Sequence, residues 1–179
     1  MNGATPALQE AIEKAQAGAK ERDAQAEKII WANVLVNAGL GLAPVMINVF
    51  TFVGLNAATI IAVGHVYGYT INREQAGSLI KQILMSVGMT WGIGVLSWKL
   101  VVEIIKVAGI TTLGAATATA MTVDAVLLGA LSYALGYTAM TYFKAGCQLD
   151  HKIMRETFRQ TFDEGKSKVK QSVKDKVGL

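Results

Sequence analysis

Cysteine, histidine and charge are all scarce in this 179-residue chain, and each scarcity removes a class of explanation. One cysteine, Cys147, excludes an intramolecular disulfide. It lies just past the last apolar segment, where acylation would fit, but a lone small residue is the plainer account. His65 and His151, far apart, add no metal-ligand spacing, so neither a metal nor a cofactor is expected. A net charge of +4 with no base-stacking module argues against nucleic acid as a partner. Met1 to Lys28 lacks the basic start and short apolar core of a cleavable signal. Charged residues make up 17%, where a soluble domain carries about a quarter.

What is present is apolar and unevenly laid out. Hydrophobic residues reach 52%, with a mean hydropathy of +0.37. Between Ile29 and Phe143 the only formal charges are Arg73, Glu74, Lys81, Lys99, Glu103, Lys106 and Asp124. Three zones follow: an N-terminal amphipathic helix over 1–31, a helical membrane domain over 32–146, and a basic amphipathic C-terminal helix over 147–179.

Thr5-Pro6 marks a helix start, with proline at the first helical position. Leu8, Ile12, Ala15, Ala19, Ala26 and Ile29 then form a heptad-like stripe, with Arg22 in one slot. It suits a surface helix or pairing with a second helix. In the middle zone, Pro44 fits the first turn of a span over Val45–Val66. The polar run Ile71–Ser78 reads as a loop, and Ile83–Val102 as a second span with Trp98 near its end. Thr122 or Asp124 would cap a new helix, giving a hairpin of Ile104–Met121 and Asp124–Phe143. The expected fold class is therefore all-α, with about four transmembrane helices in two hairpins. Lys99, Lys106, Lys144 and the basic tail would then share a face with both termini, which the positive-inside rule places in the cytoplasm.

In the last zone Ile153, Phe158/Phe162 and Val169/Val173/Val177 form an apolar stripe, interrupted at Gly165. Lys152, Arg155 and Arg159, with the lysines beyond, supply a basic side. Such a helix suits an anionic membrane surface or a partner, with Lys152, Arg155, Phe158, Arg159 and Phe162 as contacts. A solvated tail that only fixes orientation is the simpler alternative.

No catalytic constellation is visible. Gly39-Leu40-Gly41 and Gly92-Ile93-Gly94 follow no strand and lead into no phosphate loop, and neither a nucleophile elbow nor paired carboxylates occur. The polar residues placed within the apolar zone are Asn48, Asn56, His65 and Asp124. Asp124 suits a helix cap or, as an intramembrane acid, ion handling. Asn48 and Asn56 share a helical face and suit interhelical hydrogen bonds or a polar cavity. His65, beside Tyr67 and Tyr69, suits an interfacial hydrogen bond. Glu103 and Lys106 suit an ordinary ion pair. The spacings Gly64/Gly68, Gly88/Gly92 and Ser132/Gly136 suit close helix packing.

Leu42-Ala43-Pro44, Asn48, Asn56 and Val66-Tyr67-Gly68, with Tyr142-Phe143-Lys144-Ala145-Gly146 closing the zone, resemble the poorly characterised bacterial membrane-associated domain family often fused to Era-like GTPase domains. The similarity covers roughly Asn33 to Gly146. Asn48 stands where that family tends to have an acid, and Asn56 where it tends to have glutamine. The resemblance implies a stand-alone bacterial inner-membrane module, multi-pass with cytoplasmic termini, that works with a separate GTPase. The function expected is a non-enzymatic scaffold or anchor that self-associates on anionic lipid. The alternatives are a small channel or transporter lined by the polar residues above and, last, a membrane-bound enzyme. Several copies enclosing the apolar segments in an assembly would cut across all three.

Overall fold

The computed structural model describes residues 6–42, 49–88 and 118–177. Among the described residues the fold is all-α, with five helices and no strands: α1 (Pro6–Leu42), α2 (Val49–Val66), α3 (Arg73–Ser86), α4 (Ala118–Lys144) and α5 (His151–Val177). Helix α4 is the axle. Helices α1 and α5 pack along it, α2 packs on α1, α3 and α4, and α3 crosses to α5.

Helix α1 starts at Pro6 and runs unbroken through the boundary expected at Trp31. Its 37 residues span about 55 Å at the helical rise. The two halves differ. Glu13 to Gln25 is largely exposed, and Ala15 and Ala19 of the expected stripe face solvent. The stripe that packs is Ala26, Ile30, Val34 and Ala38, each at most 5% exposed. Four-residue steps keep these side chains on one helical face.

Two glycines stop the helices that meet at one end of the bundle. At the end of α2, the Gly68 N–H donates to the His65 carbonyl and the Tyr69 N–H to the Gly64 carbonyl, both near 3 Å, with Gly68 at φ +84°. At the end of α4, the Gly146 N–H donates to Phe143 O and the Cys147 N–H to Tyr142 O, with Gly146 at φ +71°. Both are Schellman caps, which need a left-handed residue and so favour glycine. The Tyr69 ring stacks on Phe143 at 5.5 Å, joining the two caps.

Several expected boundaries move. The run Ile71–Ser78 is not a loop: Asn72 accepts the Gln75 N–H, the Gln75 side chain accepts the Asn72 N–H, and this capping box starts α3. Helix α3 ends at Ser86, and Val87-Gly88 turns with Gly88 at φ +87°, so the helix holding Ile83 stops there; the rest of the second expected span, 89–102, lies outside the described residues. The 14 residues of α3 are too few to cross a bilayer, which takes about 20. The break expected between Met121 and Asp124 is absent, because α4 passes through both. The alanine-rich sequence around Thr122 keeps helical propensity high enough to override a capping residue. The rest of the third expected span, like Pro44, Trp98, Glu103 and Lys106, lies outside the described residues.

Among the described residues, one helix is long and apolar enough to cross a membrane: Ala125–Lys144, with a mean hydropathy of 1.3. It is also the core helix, with 72% of it buried inside the bundle. Thr51–Val66 is apolar but shorter.

Candidate functional site

Three polar clusters hold the helices together. The first is neutral and lies in the seam between α1 and α2. The Asn33 Nδ2 donates to Asn56 Oδ1 at 3.0 Å, and Asn37 Nδ2 donates to Asn33 Oδ1 at 2.8 Å and to the Asn33 carbonyl at 3.0 Å. Asn56 Nδ2 completes the chain on the Phe52 carbonyl at 2.8 Å. All three asparagines are buried, and Asn37 Oδ1 has no protein donor. Amides so placed need partners, because an unpaired buried amide costs about 1–3 kcal/mol.

The second cluster sits at the capped end. Tyr67, beside the Gly68 stop, donates to Asp23 Oδ1 at 2.6 Å, and Lys144, beside the Gly146 stop, reaches Asp23 Oδ2 at 2.6 Å. Helix α1 is thus clamped to the ends of α2 and α4 through one carboxylate. Burial raises the Asp23 pKa, but the hydrogen bonds from Lys144 and Tyr67 outweigh it and leave it below the usual value. The Tyr67 phenol is pushed up by burial and by its bond to Asp23, and it stays protonated.

The third cluster lies between α4 and α5. The Tyr133 hydroxyl donates to Glu164 Oε1 at 3.1 Å and accepts from Lys168 Nζ at 3.0 Å, while Lys168 pairs with Glu164 at 2.5 Å. Trp31 meets the Tyr133 ring edge-on at 5.4 Å, and Tyr137 stacks on it at 4.3 Å. The Lys168 hydrogen bond, more than Tyr133's, holds Glu164 below its usual pKa against the opposing effect of burial, and the same bond raises Lys168.

Close packing makes these seams short. A Cβ at Gly136 would lie 2.8 Å from Ile30, one at Gly129 2.8 Å from Val169, and one at Gly165 3.1 Å from Tyr133. Gly64 faces Phe143 at 3.1 Å.

The residues singled out from sequence distribute as follows. Asn56 pairs with Asn33, a partner the sequence reading did not identify. His65 is exposed at the end of α2. Asn48 and Gly92 lie outside the described residues. Asp124 is on the second turn of α4, not at a helix start, and its side chain is outside the described set. Gly64 and Gly136 lie close against Phe143 and Ile30, whereas Gly68 and Gly88 serve chain turns. Ser132 is fully buried with no partner for its hydroxyl. On α5, Lys152 and Arg159 are exposed, and the Arg155 Nε donates to the Ser86 carbonyl at 2.5 Å. Phe158 is not a surface contact: it is 4% exposed, with Met154 and Val169 on the same buried face, and Phe162 is half-buried beside it. The apolar stripe of α5 is thus spent on the bundle.

Sequence reasoning missed Asn33, Asn37, Asp23, Tyr133, Glu164 and Lys168. The four-residue spacings Asn33/Asn37 and Glu164/Lys168 were available as signals, since such pairs share a helical face.

Among known families, the chain matches the model described as Domain of unknown function (DUF697) over residues 7–176. No curated protein and no solved structure matches it.

Proposed function

The chain belongs to the DUF697 family, and from that membership and the geometry above we propose that it is a non-enzymatic membrane scaffold or anchor that self-associates on lipid. The observation that carries the reading is the complete lack of Lys, Arg, Asp and Glu from Ile29 to Asn72, a run that contains the second half of α1 and all of α2 and leaves Leu35 and Val36 exposed. Every polar cluster described above joins helix to helix, which is a scaffold's use of polar groups. The exposed, charged first half of α1 supplies a surface for a soluble partner, and a separate GTPase is the partner that the family resemblance suggests.

Four crossings are not part of this reading. The middle of α4 lies against α5, with Tyr133 bonded to Glu164 and Lys168, so centring α4 in a bilayer would carry both charges to the same depth. Charges there are costly. A channel or transporter stands second, because the Asn33, Asn37 and Asn56 amides bond mainly to one another.

Flotation of the purified chain with vesicles of neutral and anionic lipid, together with sizing of the bound form, tests the proposal. Co-flotation of an oligomer is expected. A monomer that stays at the bottom of the gradient, or ion flux in proteoliposomes that stops in Asn56→Leu, overturns it.

A further inference from the structure

The α1–α2 pair buries its amides and turns an uncharged face outward. Its amides point inward: Asn33, Asn37 and Asn56 are 7%, 0% and 1% exposed. Ile30, Val34, Ile60 and Val63 pack inward, but Leu35 and Val36 are left 41% and 50% exposed, a degree matched among the described residues only singly on α3 by Met85 and on α5 by Ile153, and Ala32 and Gly39 continue the α1 face at helical spacing. On α2, Thr51 and Ala58 are exposed, with Leu55, Ile61 and Ala62 half-exposed. In water this arrangement is doubly unfavourable, since it desolvates amides and leaves apolar area wet. In hydrocarbon the same arrangement is what physics selects: polar groups satisfied between helices, apolar groups facing the solvent.

The charge lies elsewhere. Lys152, Arg159, Lys166, Lys168 and Lys170 are on α5, which packs on α4 and α3, while α2 packs on α1, α3 and α4.

We infer that the outer faces of α1 (29–42) and α2 form the surface that meets the acyl chains of a bilayer, lying in its plane, with α5 turned to water and α4 kept as the protein core. This rests on the membrane reading above and names the part of the chain that performs it. The most apolar long helix is then not the one that touches lipid.

The test uses the full chain with Cys147→Ser and one new cysteine, Val36→Cys or, separately, Gln160→Cys on the exposed side of α5. Each carries a bimane label and is mixed with phosphatidylcholine–phosphatidylglycerol vesicles brominated on the acyl chains. The Val36 label should lose most of its fluorescence and the Gln160 label should keep it. In parallel, Val36→Glu should weaken vesicle partition about tenfold, and Gln160→Glu should leave it unchanged. Position 36 is half-exposed, so the glutamate is accommodated in the fold, which circular dichroism verifies. Flotation of the unlabelled chain reads the membrane proposal by itself. Flotation with an unquenched Val36 label overturns this face and spares that proposal, whereas failure to float overturns both. A Val36 label already shielded before vesicles are added, in a particle of two chains, assigns the face to a second copy and also overturns the inference.

Discussion

The α1–α2 seam and the seams around Asp23 and Glu164 solve one problem, joining helices through polar groups, with opposite chemistry. The first uses only neutral amides, fully buried, on a stretch with no formal charge. The others use carboxylate, lysine and tyrosine, and their charged members stay between a third and a half exposed, as with Lys144 and Asp23 at 46% and 32%. The difference follows from solvation. A neutral amide can be taken fully from water once its hydrogen bonds are made, whereas an ion pair keeps a net cost unless water still reaches it. The type of polar group at each seam therefore reports how dry that seam is.

Helix α1 belongs to both kinds of seam, so the largest effect should come from displacing it. Gly136→Val puts a branched side chain where even a Cβ would lie 2.8 Å from Ile30 Cγ2 and 3.3 Å from Ile30 Cβ. Overpacking of that kind costs about 1–3 kcal/mol, and this site should fall at the upper end. Chemical denaturation measures it; a loss too small to resolve would mean that α1 and α4 do not meet as described.

The second effect separates the seams. Asn56→Leu leaves Asn33 Nδ2 buried without its acceptor, at about 2 kcal/mol. Adding Asn33→Leu should cost less than the sum of the single changes, since the pair then loses both partners together. Strict additivity would refute the amide pairing.

The smallest effect concerns the charged clamp. Tyr67→Phe removes one hydrogen bond to Asp23 and should cost about 1 kcal/mol at neutral pH. Because the folded pKa of Asp23 is depressed, its contribution is complete above the ordinary value of 3.8 and is lost as pH falls below that through the folded value. Denaturation followed from pH 6 down to acid should therefore show a shallower acid loss in Tyr67→Phe than in the parent chain, and Asn56→Leu should keep the parent's slope. Equal slopes in all three would show that Tyr67 does not hold Asp23.

Much of this was legible in the residues. The all-α class and the start at Pro6 follow from spacing and composition, and the family from the resemblance of short motifs. The Asn72…Gln75 capping box is also visible in the sequence, but the polarity of Ile71–Ser78 is shared by loops and exposed helix starts and does not separate them. Hydropathy answers only part of the question. It ranks a segment by its aversion to water and carries no information on whether lipid or protein covers it: the span expected over Asp124–Phe143 overlaps Ala125–Lys144, which is long and apolar enough to cross a membrane and is packed against α1 and α5. The fall in charge after Lys28 read as a domain boundary, yet no turn residue stood there to end the helix. The buried clusters were illegible for a further reason: Asp23, Tyr67 and Lys144 meet across as many as 121 residues of sequence, a pairing that only the fold supplies.

The continuity of α1 has a mechanical meaning. With no joint between its wet, charged half and its dry, amide-bearing half, the helix is a lever of about 55 Å, and Asp23, fastened to the ends of two other helices, is its pivot. A force on the free arm is delivered as torque on Asn33 and Asn37, and through the Asn33–Asn56 bond on α2.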